Sequence, residues 1–427
     1  MTLILLVAQA HAFCGTFVGG DGALLTNSAS QVVLAREGTR TTLTLAMDYQ
    51  GDLSEFALLI PVPEVLDAAD VTSPEGRLLT DIDTYSMPRE VAYACSDVVS
   101  KEFRSLGCGG LLGGCSSPEG GMYMDSGELG ESSADTVSVE SAFSVAGYEF
   151  VVLSAEESAG LETWLDDNGY ALPAGGQAIL QEYIDAGSYF LAAKVTLTDA
   201  DPNVRQWLPP IQLRYESESW SLPIRIGTIS ASGTQEVIVY ALDALEEGEV
   251  GIANFPQVSV EDECMRPDSA DLATYYGDQM EEAFAGEAGW MVEFSWELQT
   301  VEGGTGYHCD PCTTVVGIPE ADLNALGLDS YPAHLTRMRV RYAPEQATQD
   351  LVLFASGITG VADQIRYIQS NPSMEDQYPV CGEGFVDNPG TCLDPDREPL
   401  FGLGAMAPVG ALGMLGVVAM IRRRRAA

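Results

Sequence analysis

The run LTLAMDYQGDLSEFALLIPV, from Leu43 to Val62, decides how this chain is read. Its first part sets Leu43, Leu45 and Met47 against Thr44, Ala46 and Asp48, the period-2 pattern of a strand. An acidic, glycine-containing turn follows, and Phe56 to Val62 then forms a second apolar strand. Two other stretches share this layout: IQLRYESESWSLPIRI from Ile211 and MRVRYAPEQATQDLVLF from Met338. Each has a tyrosine at the end of its first strand: Tyr49, Tyr215 and Tyr342. A strand and the helical LETWLDDNGY from Leu161 separate the first two, and a strand and PEADLNALGLD from Pro319 separate the last two. That order predicts a duplicated, β-rich unit, one copy over residues 13–205 and the other over 206–372.

The same periodicity predicts strands at Thr41–Tyr49, Tyr148–Leu153, Tyr189–Leu197, Trp220–Ile226, Glu236–Leu242, Trp290–Leu298, Arg337–Tyr342 and Leu351–Ala355. Helices are fewer. Ser154 reads as the N-cap of Ala155–Asn168, with Glu157 in the capping-box position and Gly169 as the stop. Gly176–Ala186, Ala270–Ala285 and Glu320–Leu326 also read as helical. The fold class is therefore α+β and strand-rich, two related units with a few short helices. Residues 105–136 interrupt the first unit as a Gly/Ser-rich, acidic surface insertion.

The two ends of the chain suggest an address. Leu3 to Ala8 is a short apolar core and Ala10-His11-Ala12 a small-x-small cleavage site, so residues 1–12 read as a signal peptide and the mature chain as starting at Phe13. Leu400 to Ile421 carries no charge and, at about 1.5 Å per helical residue, can cross a hydrocarbon core of roughly 30 Å. Arg422, Arg423, Arg424 and Arg425 would hold that helix with a cytoplasmic basic tail, residues 422–427, and an ectodomain outside. Residues 373–399 then form a juxtamembrane linker. The expected location is the cell envelope, with the ectodomain periplasmic or at the cell surface and the membrane as a partner through one helix.

Composition narrows the function. A hydrophobic content of 46% is that of a folded chain. The formal net charge of −43 repels nucleic acid and anionic headgroups and suits a salty medium that screens self-repulsion, or binding of divalent cations, although no D-x-D-x-D-G loop argues for a dedicated calcium site. Nine cysteines in an exported chain are disulfide candidates: Cys14, Cys95, Cys108, Cys115, Cys264, Cys309, Cys312, Cys381 and Cys392. Cys381 and Cys392 bound a Gly/Pro/Asn loop and are expected to bridge locally.

The one chemically suggestive motif is His308-Cys309-Asp310-Pro311-Cys312. A C-x-x-C spacing serves redox exchange, zinc binding or a tight disulfide. Redox use favours a helix N-terminus, and zinc needs two further ligands, for which His308 with Cys264 or Cys14 are the available groups. A structural disulfide is the leading reading. After leader removal only His308 and His334 remain, and the sequence has no H-E-x-x-H, G-x-S-x-G or phosphate-cradling glycine loop. No catalytic residue, cofactor or metal is therefore assigned. Tyr275, Tyr276, Trp290 and Trp296 are expected in the core.

Several phrases together resemble the bacterial exported family known as Domain of Unknown Function 2330. They are AFCGTFVGG from Ala12, the segment from Ser30 to Pro63, YSMPREVAY from Tyr85, VVLSAEESAGLETWLDDNGYALP from Val151, WSLPIRIGTISASGTQEVIVYAL from Trp220, CDPC from Cys309, and HLTRMRVRYAPEQATQDLVLF from His334. The resemblance runs from Phe13 to about Pro372. It implies an exported envelope protein, often with a C-terminal anchor, and carries no known activity or catalytic residues. It also places Cys14, Cys309 and Cys312 at shared cysteine positions, which favours a structural bridge. The C-terminal layout further resembles the tripartite sorting tails of some Gram-negative bacteria, so the span is read either as a permanent anchor or as a processed signal. The expected function is a binding or structural ectodomain. The alternative is an envelope enzyme, a thiol–disulfide oxidoreductase using Cys309 and Cys312 or a carboxylate-based hydrolase.

Overall fold

The computed structural model describes residues 15–19, 30–49, 56–91, 136–195, 206–231, 233–244, 247–267, 271–298, 306–308, 313–315, 317–329, 332–358, 366–369 and 378–385. The leader, nearly all of the Gly/Ser-rich insertion, the span 400–421 with its four arginines, and Cys14, Cys95, Cys108, Cys115, Cys309, Cys312 and Cys392 lie outside them. Among the described residues no helix is long and apolar enough to cross a membrane. The chain divides into two compact units, one of Met1–Val91, Phe103–Glu263 and Ser269–Tyr367, the other of Ala92–Glu102, Cys264–Asp268 and Ile368–Ala427.

Within the large unit, Phe56–Val62 shows why the sheets stack. Every residue of FALLIPV is buried, so both faces of that strand are covered. Leu58 and Ile60 enter one apolar cluster, whereas Ala57 and Leu59 enter another. The strand belongs to an antiparallel five-stranded sheet ordered Thr16–Gly19, Phe56–Val62, Tyr189–Val195, Tyr148–Ala155, Val137–Val145. Helices Ser158–Asp167 and Gly176–Asp185 cover its outer face through Leu161, Trp164, Leu165, Leu180 and Tyr183. Its inner face packs on an eight-stranded sheet through the largest cluster of the molecule, which includes Phe150, Val152, Leu191, Leu34, Leu43, Val239 and Val340.

The eight-stranded sheet runs Gly289–Leu298, Ala333–Tyr342, Gln235–Ala244, Ser30–Glu37, Arg40–Tyr49, Ile211–Glu216, Val71–Thr72, with Gln206–Trp207 beside Arg40–Tyr49. Gln235–Ala244 and Ser30–Glu37 are parallel, and the other pairs antiparallel. Its second face is also closed: Val33, Ala35, Tyr240, Leu242, Phe294 and Leu335 pack on helix Arg77–Ser86 and on the short helix Glu320–Ala325. Gly327 ends that short helix at φ +96°, and a Cβ there would stand 2.4 Å from Thr42. The helix can therefore press onto the sheet, where Gln212 Nε2 donates to the Ala325 carbonyl at 2.8 Å.

The structure is strand-rich α+β, as the periodicity predicts, but its strands are shared differently. The boundary expected between residues 205 and 206 is crossed by the eight-stranded sheet, which takes strands from both sides of it. The three repeated segments are not hairpins. In each, the first strand lies in the eight-stranded sheet and the second leaves it: Phe56–Val62 for the five-stranded sheet, Ser221–Leu222 and Leu351–Ala355 for a three-stranded one. Those last two pair with each other, Leu222 opposite Leu351. The connections after Glu216 and Tyr342 are thus corners between sheets.

Two further expectations change. Ser154 is not an N-cap: pairing with Val137–Val145 holds residues through Ala155 in a strand, and the helix starts at Ser158. Trp220–Ile226 is a strand only at Ser221–Leu222, because Pro223 offers no N–H to the ladder and a 3₁₀ turn follows at Ile226–Ile229.

In the small unit, Cys264 is bonded to Cys381, not Cys381 to Cys392, across a separation of 117 residues. The backbone supports the bridge: Met265 N–H donates to Pro379 O at 2.8 Å and Cys381 N–H to Met265 O at 3.0 Å. Met265 and Ile368 pack with Tyr378 and Val380 around it. Both cysteines are buried, so a mild reductant acting on the folded protein is expected to leave them joined. Peptide mapping under non-reducing conditions should recover a Cys264–Cys381 pair. Cys264→Ser with Cys381→Ser should lower the stability measured by urea unfolding by about 2–5 kcal/mol.

Candidate functional site

The densest polar chemistry among the described residues lies on the helix-covered face of the eight-stranded sheet. Strand Ala333–Tyr342 alternates: Met338, Val340 and Tyr342 face the inter-sheet core, so Arg337, Arg339 and Arg341 share the opposite face. The neighbouring strand supplies their counter-charge through a defect. Val292 stands opposite Met338 and Phe294 opposite Arg337, leaving Glu293 as the extra residue of a β-bulge. Val292 packs toward the inter-sheet core and Phe294 toward the helix side, and the bulge aims Glu293 at the arginines.

Glu293 has no exposed surface, and its two oxygens are divided among three donors. Arg337 Nε donates to Oε2 at 2.5 Å, while Arg339 Nε and the Tyr276 hydroxyl each donate to Oε1 at 2.5 Å. Arg337 Nη1 also donates to Asp83 Oδ1 at 2.6 Å, which accepts from the Tyr240 hydroxyl at 2.6 Å. Arg339 Nη1 pairs with Glu236. The guanidiniums of Arg337 and Arg339 lie 5.3 Å and 5.9 Å from the ring centres of Tyr240 and Tyr276, within cation–π range. Asp83 comes from helix Arg77–Ser86 and Tyr276 from helix Leu272–Phe284, so the network ties both helices to the sheet.

The charge states follow from this packing. Burial pushes the Glu293 carboxyl up, but the charges of Arg339 and Arg337, with the bonds from Tyr276 and Arg339, override it and bring it to about 2. Burial disfavours the charge of Arg337 and Arg339, and Glu293 reverses this and raises both above the usual guanidinium range. Burial drives the Tyr240 and Tyr276 hydroxyls well up, so both stay protonated. Every strong donor aimed at Glu293 is engaged, and the cluster is a closed salt-bridge lattice.

A second polar pair lies on the inter-sheet side of the same strands. Ser295 Oγ and His334 Nε2 are 2.8 Å apart, the reach of a nucleophile and its base. Ser295 has no exposed surface and His334 1%, and no group meets the buried Nδ1. Asp243 and Glu297 stand opposite His334 in the adjacent strands. Burial lowers the His334 pKa to about 4, so the ring is neutral at neutral pH. Without an orienting partner on Nδ1 or access to solvent, this pair fills the core.

Of the residues singled out from sequence, Cys264 and Cys381 are brought together. Tyr275, Tyr276 and Trp290 are buried as expected and Trp296 is half-buried. Strands Gly306–His308 and Thr313–Val315 pair with His308 opposite Thr313, and the C-x-x-C between them lies outside the described residues. The described residues hold no group of three His, Cys, Asp or Glu that could bind a metal. Glu293, Asp83 and Ser295 were not picked out from sequence. The signal was Arg337, Arg339 and Arg341 at period 2 in a chain with 20 basic residues against 63 acidic ones.

A family model described as an uncharacterized protein conserved in bacteria matches residues 8–354. No curated protein and no solved structure matches the chain.

Two measurements check this site. Glu293→Gln leaves two buried guanidiniums without their shared counter-charge and should cost about 3–5 kcal/mol in urea unfolding. His334, whose ring is uncharged when folded, gives a pH dependence. The unfolded histidine titrates near 6.5 and the folded one near 4, so between those values the unfolded state binds more protons. Stability should be unaffected above pH 6.5 and fall by about 3 kcal/mol as pH drops from 6.5 to 4. His334→Gln should flatten that limb of a stability–pH profile. The Glu293 carboxylate contributes stability above its unfolded value of 4.5 that is lost as pH falls toward 2.

Proposed function

The chain belongs to the bacterial family of uncharacterised proteins DUF2330, and from that premise we propose that it is an exported envelope protein with a non-catalytic binding or structural ectodomain. One observation carries the location: a buried disulfide joins Cys264 to Cys381. Such a bond is maintained in an oxidising compartment, outside the bacterial cytoplasm. It agrees with the leader at residues 1–12 and the uncharged run 400–421 ahead of four arginines.

The deployment of charge favours binding or scaffolding over catalysis. Glu293 accepts from three donors, Arg337 and Arg339 are matched by carboxylates, and His334 is buried and neutral. These groups are held for structure, in states that suit neither general acid nor general base work at neutral pH. A strand, Thr313–Val315, follows Cys312, so the arrangement that lowers a redox thiol's pKa, a helix N-terminus, does not come directly after the motif. This supports the structural reading of Cys309 and Cys312.

Fractionation of bacteria expressing the full chain tests the proposal. The protein should stay with membranes after carbonate washing, begin at Phe13, and pass into the soluble exported fraction when truncated after residue 399. Digestion of the ectodomain on intact cells would mean surface display, and digestion only after outer-membrane permeabilisation would mean the periplasm. Recovery from the cytosol with Cys264 and Cys381 alkylatable would overturn it. Cys309 and Cys312 should resist mild reductant, whereas a readily reduced pair of low thiol pKa would replace the non-catalytic reading with redox work.

A further inference from the structure

A sheet edge presents a row of backbone N–H and C=O groups to any strand that arrives, so folded chains keep edges short, cover them or place Lys and Pro on them. Most edges of the two main sheets follow this rule. Thr16–Gly19 is four residues long, and the Ala171 N–H donates to Gly19 O at 2.7 Å. Val71–Thr72 is two residues long. Gly289–Leu298 is largely buried, and Trp290 N–H donates to Pro256 O at 3.0 Å while Trp290 O accepts from Val258 N–H at 2.8 Å. Val137–Val145 departs from the rule. It is nine residues long, none of them is buried, and its one strand partner among the described residues is Tyr148–Ala155. Its sequence, VSVESAFSV, has neither Lys nor Pro, and Val139 is 54% exposed.

The pattern of this strand points to its partner. Glu140 is the extra residue at the register shift between Val139 and Ser141, and Ser154 Oγ of the neighbouring strand donates to its carboxylate. The shift splits the strand into two arms, of which Ser141–Val145 is regular and carries no charge. Phe143 and Val145 turn to the inter-sheet core, Phe143 stacking on Phe150 with ring centres 5.4 Å apart. Ala142 and Ser144 are exposed on the other face. A two-fold axis through Phe143, normal to the sheet, sets a second copy of this arm antiparallel to the first. Phe143 then meets its mate, Ser141 meets Val145 and Ala142 meets Ser144, so each face joins its like and no like charges oppose. In a chain of net charge −43, most surface strips would set acid against acid in such a pairing. We propose that the Ser141–Val145 edge is a self-pairing surface, through which two copies of the chain join their five-stranded sheets into one continuous antiparallel sheet. New backbone hydrogen bonds and the Phe143 cross-strand pair supply the attraction. The acidity of both copies opposes it, so association strengthens as salt screens their charge. The pairing requires neither the membrane anchor nor a particular compartment, so it stands apart from the location proposed above.

The test is sedimentation velocity of the full-length protein in mild detergent, over a series of protein and salt concentrations. A monomer–dimer equilibrium that moves toward dimer with added salt is expected. A monomer at every concentration, or an association that weakens with salt, would overturn the proposal. Ala142→Lys with Ser144→Lys sets lysine opposite lysine twice and should weaken dimerisation roughly tenfold or more, although it lowers the net negative charge of each copy. Ala142→Lys with Ser144→Glu sets lysine opposite glutamate in the same register and should keep dimerisation within roughly a few-fold of the wild type. Dimerisation untouched by the first pair of substitutions, or lost equally with both pairs, would also overturn it. If these variants do not fold, hydrogen exchange of the wild-type protein gives the answer. Backbone amides of Ser141–Val145 should gain protection as the protein is concentrated, and protection that does not change with concentration counts against the pairing.

Discussion

A carboxylate with no exposed surface can stay ionised only where fixed opposite charge replaces the water it has lost, and Glu293 is that case. The desolvation penalty is several kcal/mol per ion, so the geometry around it has to be tight. Three features supply it: the bulge that turns Glu293 toward the arginines, the period-2 spacing that aligns Arg337 with Arg339, and two helices that deliver Asp83 and Tyr276. Loss of the bulge or of the arginine alignment leaves a buried charge unmatched. An apolar layer of the same volume would be at least as stable, because salt bridges gain little net energy on burial. What an apolar layer does not do is discriminate among placements of the helices, since any greasy face would fit.

That constraint works because the eight-stranded sheet is covered on both faces. Strand Ala333–Tyr342 gives Met338, Val340 and Tyr342 to the inter-sheet core and its arginines to the helix side, so its two faces are held by different physics. One face is organised by apolar burial, which is strong and non-directional. The other is organised by directional donors and acceptors. The three corner segments serve the first face: each carries the chain from the eight-stranded sheet across the core to the layer that covers it. Their resemblance to one another reflects this shared task as well as any shared ancestry.

Much of this was legible in the chain. Phe56–Val62 and Leu351–Ala355 read to the residue, because a short apolar run bounded by polar turns announces itself in the sequence. Helix Leu272–Phe284 was legible from its apolar spacing, and Asp271 caps it by accepting from Thr274 N–H at 2.9 Å. Helix Arg77–Ser86 was missed although Leu78, Leu79, Ile82 and Tyr85 repeat at helical spacing, since it is short and begins at Gly76 without a side-chain cap. Val137–Val145 was missed although Val137, Val139, Phe143 and Val145 alternate with small or polar residues, since it is a largely exposed edge strand whose register shifts between Val139 and Ser141. Pairing was less legible still. Glu293 and Arg337 are 44 residues apart, and only the bulge, which no local pattern announces, turns one toward the other.

The charge balance links these points. With so few basic residues, each arginine placed inside the fold offsets carboxylates and reduces the self-repulsion of a strongly acidic chain. At the surface, salt can do the same work, because exposed charges are screened over roughly 8–10 Å at physiological ionic strength. Inside, salt cannot reach, and Glu293 depends on Arg337 and Arg339 for its counter-charge. The few cations are therefore most valuable where mobile counterions are excluded, and that is where Arg337 and Arg339 lie.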